Sequence, residues 1–177
     1  MNILFYLLVI VTANVVTAST MPLVAGKLII PYGTFFIGLT FILRDLVQRK
    51  VGKKKTYGVI AIALLASALT SYLLGDTLYI AAASALTFVL SESIDTEIYS
   101  RMNAPFYKRV LYSGAVSSLV DSTIFVIVGL SPIGAGFLSW DLVPYAILGQ
   151  YLVKLLIQVF ISMIMRKQNT FKELTSN

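Results

Sequence analysis

The chain has neither cysteine nor histidine among its 177 residues. Without cysteine there is no disulfide, no thiolate metal site and no thiol nucleophile. Without histidine the commonest general base and metal ligand is missing as well. Hydrolytic and metal-dependent chemistry loses its usual carriers, so the sequence reads as a non-enzyme with no cofactor and no metal. Charge is also scarce: 12% of residues are charged, against about a quarter in an average soluble domain. No glycine-rich phosphate loop is present, so any ATP drive must come from a partner chain. The two halves differ in pattern and in loops, and no internal repeat stands out.

What is there is apolar. Hydrophobic residues make up 58% of the chain and mean hydropathy is +0.85. Several runs approach the roughly 20 residues that a helix needs to cross a bilayer. The fold class expected is all-α: a polytopic membrane protein with six transmembrane helices in one bundle, a single domain over 1–177. The expected spans are 3–24, 28–47, 56–74, 77–101, 106–130 and 141–165. They are separated by Met21-Pro22 with Gly26-Lys27, the run Arg49 to Lys55, Gly75-Asp76, Asn103-Ala104-Pro105 and the turn-rich Ser131 to Gly136. No basic residue precedes the first run, so it reads as a retained helix rather than a cleaved signal. The polar tail from Arg166 is expected to fray.

A net charge of +6 could point to nucleic acid, but its distribution argues against that partner. The basic residues sit in short segments between apolar runs, as orientation signals do. Six spans put Arg49, Lys50, Lys53, Lys54, Lys55, Arg101, Lys108, Arg109, Arg166, Lys167 and Lys172 on one side. Lys27 stands alone on the other. The positive-inside rule then places both termini in the cytoplasm, with the chain in the cytoplasmic (inner or plasma) membrane.

Polar residues within the apolar runs mark the candidate site. In Ser91 to Arg101, residues Glu92, Asp95 and Tyr99 share one helix face, and Phe88 lies on the same stripe. A carboxylate at membrane depth costs about 2.5–3.5 kcal/mol on insertion scales, so it faces a protein interior or a watery cavity. Asp121 lies on a stripe with Gly114, Ser117, Ser118 and Phe125, while Gln150, Lys154 and Gln158 recur four apart. Asn14 and Thr17 either hydrogen-bond locally, at about 0.6 kcal/mol, or touch a ligand. Lys27 either pairs with a carboxylate or snorkels to the headgroups. Arg44 and Asp45 are adjacent, and their directions differ by about 100°, so they should engage different neighbours. Glu97, off the main stripe and near Arg101, reads as a solvated cap. A structural ion-pair network, for example Lys154 with Asp121, is the alternative to a site.

This inventory suits a small, polar, non-anionic ligand. Carboxylates accept paired N–H donors, carboxamides offer donor and acceptor together, and aromatics supply flat faces. A guanine-like heterocycle matches, because one carboxylate can accept from its ring N–H and its exocyclic amine.

Several blocks resemble the queuosine precursor transporter family: Asn14 with Lys27 downstream, F-I-L-R-D-L-V-Q-R-K-V-G at 41–52, S-E-S-I-D-T-E-I-Y-S-R at 91–101 and S-S-L-V-D-S-T-I-F at 117–125. Gln48-Arg49 departs from the glutamate that many members carry after the second-helix aspartate. The resemblance implies six helices, import of 7-cyano-7-deazaguanine or a related 7-deazaguanine, and a likeness to the substrate-binding subunits of energy-coupling-factor transporters. It marks Asn14, Lys27, Asp45, Glu92, Asp95, Arg109 and Asp121 as motif positions. On this reading Glu92 or Asp95 holds the guanine-like edge, Asn14 and Gln150 hold other polar atoms, and Phe35, Phe36 or Tyr99 stack. Asp121, Lys154, Lys27, Arg44, Asp45 and Arg109 form a coupling or structural charge network. Coupling to a proton or another ion, a homo-oligomer and energising partner subunits are all compatible with it. The alternatives are a binding subunit of a multi-component uptake system and a structural membrane protein that transports nothing.

Overall fold

The computed structural model of the chain describes residues 3–76 and 78–175. Among them are six helices: α1 (Ile3–Ser19), α2 (Gly33–Val51), α3 (Lys53–Leu73), α4 (Leu78–Arg101), α5 (Phe106–Ile124, continued as a π-helical segment Phe125–Leu130) and α6 (Val143–Thr175). Each packs on two neighbours in the order α1, α2, α6, α5, α4, α3 and back to α1, which closes a ring around an interior. The sequence predicts the start of the fourth helix at position 77, which lies outside the described residues.

Three helical stretches are long and apolar enough to cross a membrane: Lys53–Leu73, Phe106–Leu130 and Val143–Lys167. The helix α1 is apolar but has 17 residues. Buried charges lie on α2 (Arg44, Asp45) and α4 (Glu92, Asp95), and also on α5 (Asp121) and α6 (Lys154). Outward faces are greasy, with Leu65, Leu69, Leu156 and Phe160 all exposed.

The structure corrects the all-α expectation between 19 and 33. The helices expected to reach 24 and to resume at 28 are replaced there by an antiparallel hairpin, β1 (Leu23–Ala25) with β2 (Leu28–Ile30), in register Ala25 with Leu28. Pro22 removes a backbone donor, and Val24, Ile29 and Ile30 favour extended backbone. Gly26 supplies the positive φ (62°) that the first position of a two-residue hairpin loop demands.

A second correction concerns the basic run. Instead of a loop over Arg49 to Lys55, α2 continues to Val51 and α3 begins at Lys53, with Gly52 alone (φ 83°) turning the chain. Lysine and arginine are good helix formers, so charge density does not interrupt a helix where glycine does. The same reason applies at the far end. The tail expected to fray continues as helix to Thr175, and no proline or glycine follows Gly149 to stop it.

Three apolar clusters hold the ring together. One joins Tyr6, Val9 and Ile10 of α1 with Leu43 and Val47 of α2, Val59, Ile60 and Ala63 of α3 and Phe88 of α4. A second, at the hairpin end, is Val126, Leu138, Val143 and Ala146. A third, at the end that carries the basic residues, is Ile42, Tyr99 and Val110. Between the first two lies unfilled space.

Candidate functional site

That space is a cavity of about 600 Å³, within the size range of small-molecule sites. Its walls come from all six helices, α3 through Ser67, with Pro22, Val24 and Ile29 of the hairpin region and Phe137 and Leu138 of the 131–142 turn at one end. On α2 the lining stops at Ile37, two turns before Arg44. On α4 it stops at Phe88, one turn before Glu92. The cavity therefore occupies the hairpin half of the molecule and ends near its middle.

Four of the sequence-predicted residues line it: Asn14, Asp121, Gln150 and Lys154. Asn14 Nδ2 donates to Ser67 on α3, at 2.9 Å to Oγ and 3.2 Å to the carbonyl, and ties α1 to α3 along the wall. Lys154 Nζ lies 2.5 Å from Asp121 Oδ2 and donates to Ser122 Oγ at 3.0 Å. Ser91 Oγ donates to Asp121 Oδ1 at 3.3 Å. The pair is neutral as a unit and forms the inner end of the cavity. Beyond it, Gln158 Nε2 donates to Ser118 Oγ at 2.6 Å.

Gln150 is 2% exposed, and its Nε2 has no hydrogen-bond partner. Thr87, on the facing helix α4, is also buried, with Oγ1 unpartnered. A buried polar group without a partner costs about 1–3 kcal/mol, and both residues line the cavity, one from α6 and one from α4. The rings of Phe88, Phe125 and Phe137 stand on the same lining. Phe125 opens the π-helical segment, a feature frequent at functional sites.

The other predicted residues lie elsewhere. Glu92 and Asp95, expected to hold the ligand edge, are sealed on the far side of the cavity's inner end. They converge with Asp45 on Arg44, and all four side chains are at most 2% exposed. Arg44 Nε lies 3.1 Å from Glu92 Oε2, and Arg44 Nη2 contacts Asp95 and lies 2.9 Å from Asp45 Oδ1. The expectation that Arg44 and Asp45 engage only different neighbours is thus corrected: the arginine stem is long enough to bring its fork back to the adjacent carboxylate. Arg44 Nη1 donates to Gln48 Oε1 at 2.7 Å and Thr96 Oγ1 at 3.1 Å.

The expected stacking residues move too. Phe35 is exposed on the outer surface and Phe36 packs on the first apolar cluster. Tyr99 sits edge-on to Phe106, with the Arg109 guanidinium 3.9 Å from its ring centre. Arg109 Nε donates to the Tyr99 carbonyl at 2.9 Å. Lys27, at the hairpin tip, is exposed with its ammonium 5.1 Å from the ring centre of Tyr145, apart from the other charges. Glu97 meets Lys53 at 2.7 Å and Arg101 at 3.3 Å. Among the described residues no cluster of acidic side chains suits a metal ion.

Sequence reasoning missed Thr87, Ser67 and Phe137. Ser84, Thr87 and Ser91 recur three and four apart on α4, a small-polar stripe that could have been read beside the carboxylates. Phe137 sits in a turn segment, where no periodicity gives its direction.

Residues 71–166 match the family model described as "Putative vitamin uptake transporter". The chain belongs to that family. No curated protein and no solved structure matches it. The transporter is therefore a membrane protein of the vitamin-uptake type, in keeping with its three long apolar helices. The matched segment carries Thr87, Glu92, Asp95, Asp121, Gln150 and Lys154. Asn14, Arg44 and Asp45 reach the transporter's interior from α1 and α2, outside the match.

Proposed function

We propose that the transporter imports a 7-deazaguanine precursor of queuosine, 7-cyano-7-deazaguanine or a close relative, across the cytoplasmic membrane. The observation that carries this reading is a cavity lined by Gln150 of α6 and Thr87 of α4, residues whose Nε2 and Oγ1 are buried and unpartnered. A carboxamide matches the guanine edge, donating to the ring carbonyl and accepting from the ring N–H. Asn14 lies on the same lining, and Phe88, Phe125 and Phe137 supply flat apolar surface. The cavity's one lysine is already paired with Asp121, which disfavours an anionic ligand. The four sequence blocks that resemble the queuosine precursor family support the choice of heterocycle. In this reading Gln150 and Asn14 keep their binding roles, while the guanine-edge role moves from Glu92 or Asp95 to the cavity residues.

The basic residues gather at the Gly52 end and the cavity lies in the hairpin half. The positive-inside rule then turns the cavity outward and puts both termini in the cytoplasm. Intact cells lacking their own uptake route should accumulate labelled 7-cyano-7-deazaguanine when they express this chain. Gln150→Ala at matched membrane expression should lose most of that accumulation. A K54C variant, the only thiol in the molecule, should react with an impermeant maleimide only after the membrane is opened. Binding of the ligand without accumulation would favour the binding-subunit alternative, and no binding at all would remove the substrate assignment.

A further inference from the structure

We infer that the buried cluster around Arg44 is a proton site, separate from the ligand cavity, through which uptake is coupled to a proton gradient. The coupling half of this inference rests on the transport reading above; the proton site does not.

The charge count carries the first step. One guanidinium faces three carboxylates, Asp45, Glu92 and Asp95, so full ionisation leaves an excess of two negative charges in a place sealed from water. Among the described residues the surrounding elements do not supply the missing cations. From α1 comes the Tyr6 hydroxyl; from α4, besides the two carboxylates, Tyr99; from α5, Asp121, which adds negative charge, and Arg109. Lys154 of α6 is held by Asp121. Arg109 acts on Asp45 from a distance while its guanidinium covers the Tyr99 ring. From α3, Tyr57 bonds to Glu97 at the basic end instead. A buried ionisable group left without compensation takes the neutral form, and a carboxylate does so by binding a proton.

A second, independent observation gives that proton a place. Asp45 Oδ2 and Asp95 Oδ1 are fully buried and have no hydrogen-bond partner. Arg44 donates through Nη1 to Gln48 and Thr96, while its Nε and Nη2 make ion-pair contacts with Glu92, Asp45 and Asp95 without an aligned hydrogen bond. Those contacts fall on Asp45 Oδ1 and Asp95 Oδ2, so Asp45 Oδ2 and Asp95 Oδ1 stand outside the ion pairs of the one cation in the cluster.

The cluster has polar neighbours on both sides. Toward the cavity, Ser91, the residue before Glu92, reaches Asp121 of the Lys154 pair. Toward the basic end, Gln48 Nε2 donates to the half-buried Ser100 Oγ at 2.8 Å. Arg44 and Asp45 lie on α2 while Glu92 and Asp95 lie on α4, so gaining or losing a proton changes the charge that joins these two helices. A proton taken from water on the cavity side and released to water on the basic side would accompany each inward step of the ligand, which itself crosses unchanged.

The test uses the purified full chain. Infrared spectra recorded from neutral to alkaline pH, where exposed carboxyl groups are ionised, should show the carbonyl stretch of a protonated carboxyl group that shifts in heavy water. The band should be lost in at least one of Asp45→Asn, Glu92→Gln and Asp95→Asn, and retained in Asp121→Asn. Absence of the band at every pH in the unmodified chain, or its survival in all three cluster variants, overturns the proton site. The unmodified chain suffices for the first criterion if a variant does not fold. In vesicles, an inward proton gradient should raise the accumulation ratio of 7-cyano-7-deazaguanine by up to about tenfold per pH unit. Glu92→Gln or Asp95→Asn should abolish that dependence. Accumulation that ignores the gradient overturns the coupling. A band present while no ligand enters under any condition counts against the substrate reading and leaves the proton site supported.

Discussion

Arg44 directs its Nε, Nη1 and Nη2 at acceptors on five side chains of α2 and α4. A buried ion cluster is no guarantee of stability, because desolvation opposes the attraction. Removing its only cation is another matter, since the carboxylates then remain buried and unpaired. Arg44→Met should destabilise the fold by about 3–5 kcal/mol, read as a fall in the thermal midpoint in detergent. Neutralising Asp45, Glu92 and Asp95 together in that background should recover most of the loss. An Arg44→Met protein as stable as the parent would contradict this account of the cluster. Sequence spacing showed that Glu92, Asp95 and Tyr99 share a face, and it assigned Arg44 and Asp45, near the end of the second helix, to a charge network. It could not show that a side chain as long as arginine would gather Glu92 and Asp95 away from the cavity, because reach and direction depend on the neighbouring helix.

At the scale of elements, helix contact is controlled by where backbones approach. Gly38 of α2 meets α6 so closely that an added Cβ would lie 2.9 Å from Ile157 Cδ1 and 3.2 Å from the Lys154 Cα. Small residues at such points let apolar helices pack without a hydrophobic driving force between them. Gly38→Val should separate α2 from α6 at the level of Lys154 and cost about 1–3 kcal/mol. Thermal unfolding in detergent measures it, and an unchanged midpoint would show that this contact is not close. The helices themselves were legible from apolar runs and breakers: the observed α4 occupies 78–101 where 77–101 was expected. The hairpin was not, because Leu23, Val24, Ile29 and Ile30 continue the apolar run, and hydropathy alone does not separate a short strand from a helix end. Its signal was the spacing of Pro22, Gly26 and Pro31. The basic run misled in the opposite direction, since only Gly52 within it breaks a helix.

For the whole molecule, the ring of helices divides into two polar levels with different contents. The hairpin half holds a cavity with aromatic rings, one neutral ion pair and two unpartnered polar groups. The basic half holds a filled, closed cluster with an excess of carboxylates. The sequence named Asn14, Asp121, Gln150 and Lys154 of the first level and Arg44, Asp45, Glu92 and Asp95 of the second, and missed Thr87. It merged the two levels into one site, because residues one helical turn apart on α4 fall on either side of the cavity's end. The measurement that separates the two levels is equilibrium binding of labelled 7-cyano-7-deazaguanine to the detergent-purified chain, compared with Gln150→Ala and Glu92→Gln. Loss of one buried ligand hydrogen bond, about 0.5–1.5 kcal/mol, should weaken binding up to about tenfold in Gln150→Ala, while Glu92→Gln should bind as the parent does. Binding lost in Glu92→Gln and intact in Gln150→Ala would contradict the account, returning the ligand site to the carboxylate face of α4.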